Sequence, residues 1–444
     1  MLNPQYSMNR WELNPEVASA EGRRFTLDGS SALEVGLANT CARAAQAVRA
    51  VIPERQLEAI VLGGGYGRGE GGVLRAGDEE EPYNDLEFYV FLRGNYLWQR
   101  YRYQAALHAL GESLSPEAGV TVEFKLDSIR RFQRSPISMF SYDLVARHRV
   151  VFGEEPVFGG CGHHLAADKI PMAEATRLLF NRCSGLLLVR ELLERAALTN
   201  QEADFAVRNV AKAKLALGDA LLTVLGLYHW SSRERHRRLA TLRLASGSVL
   251  TFSAAREGEV AEKGAGLTSM AETLPWLEEV QEHHAAGLEF KLHPSGSVLN
   301  VRAAREEGVA EESAGLTPAL LRTEFLALSG LALELWLRLE SRRLNHRFSS
   351  AREYAFDGRW KCPETIGWRN YLLTLRTFGL KAVMDSGACR YPRERLFSAL
   401  PLLLWEDKRL TEPQTRRLQK LLRTTVTDWG AMLGAYRRVW AGYG

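Results

Sequence analysis

Cysteine is scarce in this sequence, and the few cysteines lie far apart. The chain of 444 residues contains five of them: Cys41, Cys161, Cys183, Cys362 and Cys389. No two have the CxxC spacing of a zinc or redox site. We therefore expect reduced cysteines and a cytoplasmic protein.

Long apolar runs are also absent from the sequence. No stretch reaches the roughly 18 apolar residues that a membrane helix needs, and the N-terminal residues lack the apolar core of a secretory signal. The nearest approach to such a run, Phe325 to Leu339, contains Glu334 and Arg338 and predicts a buried helix. We expect no membrane partner.

An excess of charge of one sign is missing as well. The formal net charge is +4, from 57 basic and 53 acidic residues, and a value this small does not by itself indicate nucleic-acid binding. Hydrophobic residues make up 46% of the chain, which is enough for a sizeable core. A chain of this length predicts two or three domains.

The first third of the chain alternates helices with short apolar strands, after a polar N-terminal extension of residues 1–30. We predict a helix over 32–52, a strand over 59–62, a loop rich in glycine and acids to Asn84, a strand over 86–92, a helix over 96–114 closed by Pro116 and Gly119, and a strand over 120–126. This order predicts a small mixed-sheet α/β domain over residues 31–165, within an α+β protein.

Leucine- and alanine-rich helical patterns dominate the rest of the chain. They predict helices over 177–197, 204–228, 274–290, 318–343, 368–386 and 412–443. Residues 170–444 are therefore expected to form a mostly helical domain. Two similar segments, 246–268 and 295–317, interrupt it. We interpret them as a duplicated surface insertion, the alternatives being a propeller or solenoid repeat and a paired ligand-binding element.

Glycine is concentrated directly after the first predicted strand. The segment from Leu62 to Gly72 reads LGGGYGRGEGG, and exposed backbone amides in such a turn can cradle phosphate groups. It is not a Walker A loop, because no Gly-Lys-Ser/Thr sequence follows it. The alternative interpretation is a glycine-rich β-turn beside two surface acids.

Two carboxylates alternate on the second predicted strand. Side chains at positions i and i+2 of a strand share a face, so Asp85 and Glu87 point the same way. Two such carboxylates repel each other unless a cation lies between them, which is the arrangement that holds Mg²⁺ against a nucleoside triphosphate. The third strand offers Glu123 and Asp127, and we favour Glu123 as a third metal ligand or as the base for an attacking hydroxyl, because it lies in mid-strand.

These two motifs, in this order, resemble the DNA polymerase β type nucleotidyltransferase superfamily. The segment GGYGRGE at residues 64–70 is particularly similar to the protein-modifying uridylyltransferases and adenylyltransferases of nitrogen regulation. The resemblance covers residues 55–130, and it implies two Mg²⁺ ions held by Asp85 and Glu87. It also implies that Gly64, Gly65 and Arg68 bind the triphosphate.

The sequence departs from that family between the two motifs. Nineteen residues separate Gly65 from Asp85, more than the family usually has, and they include the acids from Asp78 to Glu81. We interpret those acids as part of a solvated loop and not as ligands. The second acid of the pair is Glu87, where Asp is commoner.

Three features outside the two motifs carry charged or metal-binding residue types. Helical domains of small nucleotidyltransferases often place a Lys and an Asp against the nucleotide, so we hypothesise that Lys212, on one helix face with Asp219, meets the triphosphate. A solvated Lys and a paired Asp are the alternative. Cys161 with His163 and His164 is not expected to bind zinc, and the basic run 231–238 is interpreted as a solvated face.

The sequence therefore predicts a Mg²⁺-dependent nucleotidyltransferase. It would transfer a nucleoside monophosphate from NTP to a hydroxyl-type acceptor, which is a small molecule, a protein or an RNA. The alternative is a non-catalytic nucleotide-binding or toxin–antitoxin component with the same fold. The acceptor, the preferred base and the oligomeric state stay open.

Overall fold

The computed structural model describes residues 24–76, 79–195, 197–244, 250–252, 275–294, 318–380, 384 and 387–442. It is a mixed α+β protein, with a small four-stranded mixed sheet in the N-terminal part and helices after it. The described residues divide into two compact units. The first comprises residues 24–166, 229–232 and 291–294, and the second comprises the remainder.

The N-terminal part contains α1 (Ser31–Val51), β1 (Leu57–Leu62), α2 (Gly64–Arg68), β2 (Val73–Ala76), β3 (Glu79–Pro82), β4 (Leu86–Leu92), α3 (Tyr96–Ala118), β5 (Val122–Asp127), α4 (Ile129–Gln133), α5 (Met139–Ala146) and β6 (Arg149–Phe152). The sheet has the order β5-β4-β1-β6. Strand β4 runs parallel to β5 and antiparallel to β1, which also pairs antiparallel with β6. The predicted helix 32–52 and strand 86–92 are confirmed as α1 and β4.

Both faces of β4 are covered, since its apolar residues alternate between two cores. Leu86, Phe88 and Val90 are fully buried in the core that also contains residues of α1 and α3. Tyr89 and Phe91 belong to a smaller core on the other face, with residues of α4 and α5. This alternation fixes the direction in which Glu87 points.

The prediction of a loop between the glycine-rich turn and Asn84 is wrong for the middle of that segment. Strands β2 and β3 pair there as an antiparallel hairpin. Val73 and Leu74 are each only 1% exposed, so burial of apolar surface favours the hairpin despite the poor strand propensity of three successive glutamates. Glu80 pairs with Arg75 across the hairpin at 3.0 Å, while Glu79 and Glu81 are exposed as predicted.

Helix α3 continues past its predicted end at Leu114. Pro116 lies inside the helix, near its C-terminal end at Ala118. Gly119 then ends the helix in the left-handed conformation, with φ of 68°, as glycine at this position commonly does. The prediction that Pro116 closes the helix was therefore wrong, and the prediction for Gly119 is confirmed.

The chain after residue 166 is mainly helical. It contains α6 (Met172–Leu192), α7 (Asn200–Val224), α8 (Ser232–Thr241), β7 (Leu242–Leu244), β8 (Leu250–Phe252), α9 (Leu277–Leu292), α10 (Pro318–Arg343), α11 (Ala351–Phe356), α12 (Gly367–Phe378), α13 (Glu394–Leu404), α14 (Glu412–Leu422) and α15 (Trp429–Ala441). The helix predicted over 412–443 is two helices, because Arg423 adopts a left-handed conformation with φ of 52° and ends α14. The helix predicted over 368–386 ends at Phe378, before Gly379 with φ of 75°.

Several sequence features fall outside the described residues. These are residues 1–23 of the N-terminal extension, segment 295–317, and all of segment 246–268 except 250–252. Residues 250–252 form β8, which pairs with β7. None of the helices in the described ranges combines the length and the apolar composition needed to cross a membrane.

Candidate active site

The glycine-rich turn lies directly against β4. The backbone N–H of Gly63 donates to the carbonyl oxygen of Glu87 at 2.9 Å. Gly64 has φ of 63°, and a Cβ placed there would lie 3.0 Å from Oε2 of Glu87. Gly64 therefore both adopts the left-handed conformation and leaves room for the carboxylate, which no larger residue would do without strain.

A buried tyrosine in α2 connects this turn to the residues just before β4. The Tyr66 hydroxyl donates to the carbonyl of Gly72 at 2.8 Å and accepts from the N–H groups of Tyr83 at 2.8 Å and Asn84 at 3.3 Å. A second hydrogen bond joins the same two segments, because Oδ1 of Asn84 accepts from the N–H of Gly72 at 2.8 Å. Burial raises the pKa of Tyr66 to about 12, so the hydroxyl stays protonated and able to donate.

The hydrogen bonds of Tyr66 have two consequences. Asp85 comes immediately after Asn84, so the hydrogen bonds of Tyr66 and Asn84 position the start of the Asp85-x-Glu87 motif. A Cβ at Gly71 would lie 2.0 Å from the Tyr66 ring, so glycine is required there for close packing. Sequence analysis assigned no role to Tyr66, since its partners lie up to 18 residues away.

The predicted carboxylates of β4 and β5 lie side by side. Glu87 and Glu123 are register partners in the parallel pairing of the two strands, and neighbouring residues in a sheet share a face. Their side chains are 31% and 44% exposed. Asp85 is exposed and precedes the first residue of β4. The structure thus brings Gly64, Glu87 and Glu123 together, with Asp85 at the edge of the group.

A lysine that sequence analysis overlooked lies between the two glutamates. Lys125 forms an ion pair with Glu87, and its Nζ lies 3.1 Å from Oε2 of Glu123. Desolvation opposes its charge, but Tyr89 and Glu87 outweigh that effect and raise the pKa of Lys125. Lys125 is two residues after Glu123 on β5, so strand alternation puts Lys125 on the same face as Glu123.

The donor chemistry of this group suits a hard cation. Carboxylate oxygens are the ligands that Mg²⁺ prefers, and Asp85, Glu87 and Glu123 supply them. Lys125 takes the place that a cation would take between Glu87 and Glu123. Across the described ranges, no group of three or more His, Cys, Asp or Glu residues is arranged to hold a metal ion. Lys125 thus neutralises Glu87 and Glu123 in this structure.

Arg68, at the end of α2, pairs with an acid of α5. Its Nη1 lies 2.8 Å from Oδ2 of Asp143, and both side chains are largely buried, at 13% and 18% exposure. The family resemblance implies that Arg68 binds the triphosphate. In this structure the Arg68 guanidinium holds the glycine-rich turn against α5. Gly65, the other predicted phosphate-binding residue, lies in the first turn of α2.

Glu70 is a buried acid for which sequence analysis proposed no role. It is 4% exposed and accepts from the Ser231 hydroxyl at 2.5 Å and the Ser232 N–H at 2.8 Å. Lys291 Nζ lies 3.8 Å away. Burial raises the pKa of Glu70, but Lys291 and the two hydrogen bonds outweigh burial and lower it. Glu70 thus joins the glycine-rich turn to residues far along the chain, all within the first unit.

The residues proposed in the helical part have different surroundings. Lys212 is exposed on α7 in the second unit. Asp219, two turns later, is buried, with Oδ1 at 2.7 Å from Nε of Arg235 and 3.1 Å from Nε2 of His284. The helix face that Lys212 and Asp219 share is exposed at Lys212 and buried at Asp219. Asp219 is therefore a member of a buried charge cluster with Arg235 and His284.

The two adjacent histidines and the basic run 231–238 both have partners within the protein. The rings of His163 and His164 bond to backbone carbonyls of residues 135 and 132. In the basic run, Arg237 is exposed and pairs with Glu234, but Arg235 is only 4% exposed. The prediction of a solvated face is therefore wrong for Arg235, which the acid Asp219 holds inside the second unit.

The geometry therefore joins a glycine-rich turn, two neighbouring glutamates, a nearby aspartate and a bridging lysine on one edge of a small sheet.

Compared with known proteins, the chain matches no family model, no curated protein and no solved structure.

Proposed function

We propose that the chain is a Mg²⁺-dependent nucleotidyltransferase, with Asp85, Glu87 and Glu123 as its metal ligands. One observation carries the proposal, namely the packing of Gly64 against the Glu87 carboxylate, beside Glu123 on the parallel strand. A phosphate chain lying on a glycine-rich turn would then be next to paired carboxylates, and that juxtaposition is what metal-assisted phosphoryl chemistry requires.

In this proposal each residue has a distinct task. The N–H groups of Gly64 and Gly65 lie in the first turn of α2, where helix geometry leaves them without intrahelical acceptors, and they bind phosphate oxygens. The carboxylates hold Mg²⁺, which when bound offsets the charge on the phosphates and lowers the pKa of an attacking hydroxyl. Glu123 either completes the set of metal ligands or accepts the proton of that hydroxyl.

The reaction balances as a displacement at the α-phosphorus. The acceptor oxygen forms a bond to that phosphorus, the bond from it to the bridging oxygen of the β-phosphate breaks, and pyrophosphate leaves. If Mg²⁺ occupied the space between Glu87 and Glu123, Lys125 would have to leave its ion pairs with them. The ammonium group of Lys125 could then bind a negatively charged oxygen of the substrate, because the four-carbon side chain of lysine is flexible.

The position of Lys125 favours a second candidate function, a non-catalytic nucleotide-binding component. If the Lys125 ion pairs with Glu87 and Glu123 persist with nucleotide present, the carboxylates are neutralised by the protein itself. Such a protein would bind the triphosphate through its glycine-rich turn without transferring it. The two functions predict opposite results in one assay.

The assay incubates the full chain with each α-labelled nucleoside triphosphate and Mg²⁺, with sets of small-molecule, protein and RNA acceptors. Metal-dependent transfer of label, lost in Asp85→Asn and Glu87→Gln but kept in Glu79→Gln, supports the proposal; Glu79 is an exposed acid of the neighbouring hairpin. Nucleotide binding without transfer supports the second candidate. Equal labelling by wild type and both site variants would overturn the metal-site assignment.

A further inference from the structure

Large aromatic and apolar side chains are exposed at the start of α3, in the first unit. Tyr101 is 90% exposed, Leu97 73% and Trp98 50%. The face that α3 buries is a different one, and it packs Tyr103 and Leu107 into the core beside the sheet. Apolar groups that lie together on a protein surface commonly mark a binding site for a partner.

Trp98 and Tyr101 are neighbours on the surface of α3. Residues three or four apart on an α-helix have Cβ atoms about 5–6 Å from each other, so the two side chains start next to one another. Arg102, one turn after Trp98, places its guanidinium 5.0 Å from the centre of the Trp98 ring. The ring of Tyr101 is almost fully exposed, so both of its faces are open to a planar partner.

A second contact between an arginine and an aromatic ring joins this part of α3 to α4. The guanidinium of Arg131, on α4, lies 4.5 Å from the centre of the Tyr96 ring. Nη1 of Arg131 also pairs with Asp127 at 2.8 Å. The two helices therefore contribute to one surface. We call it the α3 surface, and it consists of Tyr96, Trp98, Arg100, Tyr101, Arg102 and Arg131.

The segments that form the α3 surface are basic. Residues 88–111 contain three arginines and neither Asp nor Glu, and residues 128–142 contain three more arginines and again neither acid. Nε of Arg100 donates to the neutral side chain of Gln104 at 2.7 Å, and Arg102 contacts aromatic rings. Among the described residues, Arg131 is thus the one cation of the α3 surface that is paired with an acid.

We infer that the α3 surface binds single-stranded RNA. Each nucleotide of a single strand supplies a planar base and a negatively charged phosphate, which match an open aromatic ring and an adjacent guanidinium. A duplex fits less well, because its bases are already stacked on one another. RNA is favoured over DNA because the loops, bulges and ends of RNA present unstacked bases.

A protein partner fits the alternation of the α3 surface less well than a nucleic-acid strand does. Residues 96–103 read YLWQRYRY, so aromatic and basic residues are interleaved. A protein would need acids and flat apolar groups in the same order, whereas every repeat unit of a strand supplies both. The surface goes beyond the proposed nucleotidyl transfer and does not depend on it, since α3 begins after the last residue of β4 and Glu87 lies near the first.

Fluorescence anisotropy of a labelled single-stranded RNA of about 12 nucleotides tests the inference on the full chain, in EDTA so that no metal-dependent site contributes. Wild type should bind, with an affinity that falls as salt rises. Trp98→Ala and Tyr101→Ala should each weaken binding about tenfold, as expected for loss of one stack between a base and an aromatic ring. Tyr101→Phe keeps the ring and should bind within about twofold of wild type.

The salt dependence of binding gives a second readout, which a purely structural role would not change. For single strands, the logarithm of affinity falls with the logarithm of salt by about 0.7 per phosphate contact. In Arg102→Gln this slope should therefore be shallower by about 0.7 than in wild type.

Trp368→Ala is the matched control. Trp368 lies on α12, is 63% exposed and also has an arginine, Arg369, at 5.3 Å from the centre of its ring. This variant should bind RNA like wild type. Tyr101→Ala should melt like wild type, because a side chain that is 90% exposed contributes little to stability. Weaker binding by Tyr101→Ala then cannot come from unfolding.

No binding by wild type, unchanged binding in Tyr101→Ala, or equal weakening in Trp368→Ala would overturn the inference. Equal affinity for a duplex RNA, or for a linear polyphosphate of the same charge, would overturn it too, because neither offers an unstacked base along its length. Failure to bind RNA, combined with self-association that Tyr101→Ala abolishes, would assign the α3 surface to a protein partner instead.

Discussion

Gly64 and Glu87 lie so close together that a Cβ at residue 64 would stand 3.0 Å from the Glu87 carboxylate. One residue belongs to the glycine-rich turn and the other to the acidic strand, so the two motifs that the sequence separates by a long insertion form one surface.

Gly64→Ala should lower the free energy of unfolding by about 1–2 kcal/mol, because alanine is strained at a φ of 63°. It should also reduce label transfer, since the new methyl group displaces the Glu87 carboxylate. Urea denaturation measures the first effect. Gly36→Ala is the control: Gly36 lies inside α1 with nothing within 4 Å of an added Cβ, so that variant should gain about 0.5–1 kcal/mol. A loss in both variants would contradict this account.

Tyr66→Phe should destabilise the first unit by about 1–3 kcal/mol, because the buried hydroxyl makes three hydrogen bonds to the backbone. Amide hydrogen exchange should show faster exchange at Tyr83 and Asn84, which donate to that hydroxyl. Tyr101→Phe, at a tyrosine that is 90% exposed, should change neither quantity. If the amides of Tyr83 and Asn84 exchange at the same rate in Tyr66→Phe as in wild type, the claim that Tyr66 positions Asp85 is wrong.

Glu70→Gln should cost about 1–3 kcal/mol of stability at neutral pH, since it removes a buried charge that Lys291 and two donors stabilise. The pKa of Glu70 is lower in the folded protein than its ordinary value of 4.5. The contribution of ionised Glu70 to the free energy of unfolding is therefore fully present above pH 4.5, and it is lost as the pH falls through the folded-state pKa.

Denaturation of wild type and Glu70→Gln at several pH values checks this sign. The difference between the two should shrink as the pH is lowered towards the acid range. Glu54→Gln, which removes a charge that is 69% exposed, should differ little from wild type throughout. A difference that grows with acid would show that Glu70 is protonated in the folded protein.

Lys125→Met should leave Glu87 and Glu123 facing each other without a counter-charge. We expect a loss of about 1 kcal/mol in the absence of divalent cations, because the ion pairs are partly exposed. Mg²⁺ should raise the melting temperature of this variant more than that of wild type. In the double variant Lys125→Met, Glu87→Gln the Mg²⁺ effect should disappear. A single variant that does not respond to Mg²⁺ would favour the non-catalytic function.

Local patterns were sufficient for the parts of the structure that depend on near neighbours. The alternation of Leu86, Phe88 and Val90 with Glu87 predicted β4 and the face of its acid, because strand periodicity is a local property. Helical spacing likewise predicted α1 and α10. Alternation placed Glu123 and Asp127 on one face, and the mid-strand position favoured Glu123. That Glu123 lies beside Glu87 depends on the parallel pairing of β4 and β5.

Features that depend on distant partners could not be read in the same way. Glu70 is hydrogen-bonded to Ser231, which lies 161 residues away in the sequence, and nothing near Glu70 indicates this. Lys125 was visible on the strand, but its role depends on the register with Glu87. The hairpin β2–β3 was missed because its acids have low strand propensity, and the burial of Val73 and Leu74 that stabilises it is tertiary.

The most direct test of the metal site is the number of Mn²⁺ ions bound per chain, counted by electron paramagnetic resonance with non-transferable nucleoside triphosphate analogues present. We expect two ions, as in two-metal phosphoryl-transfer sites, with at least one lost in Glu87→Gln and both kept in Glu79→Gln. Wild type that binds no Mn²⁺ beyond the amount bound by free nucleotide, or Glu87→Gln that keeps both ions, would contradict the assignment of Asp85, Glu87 and Glu123.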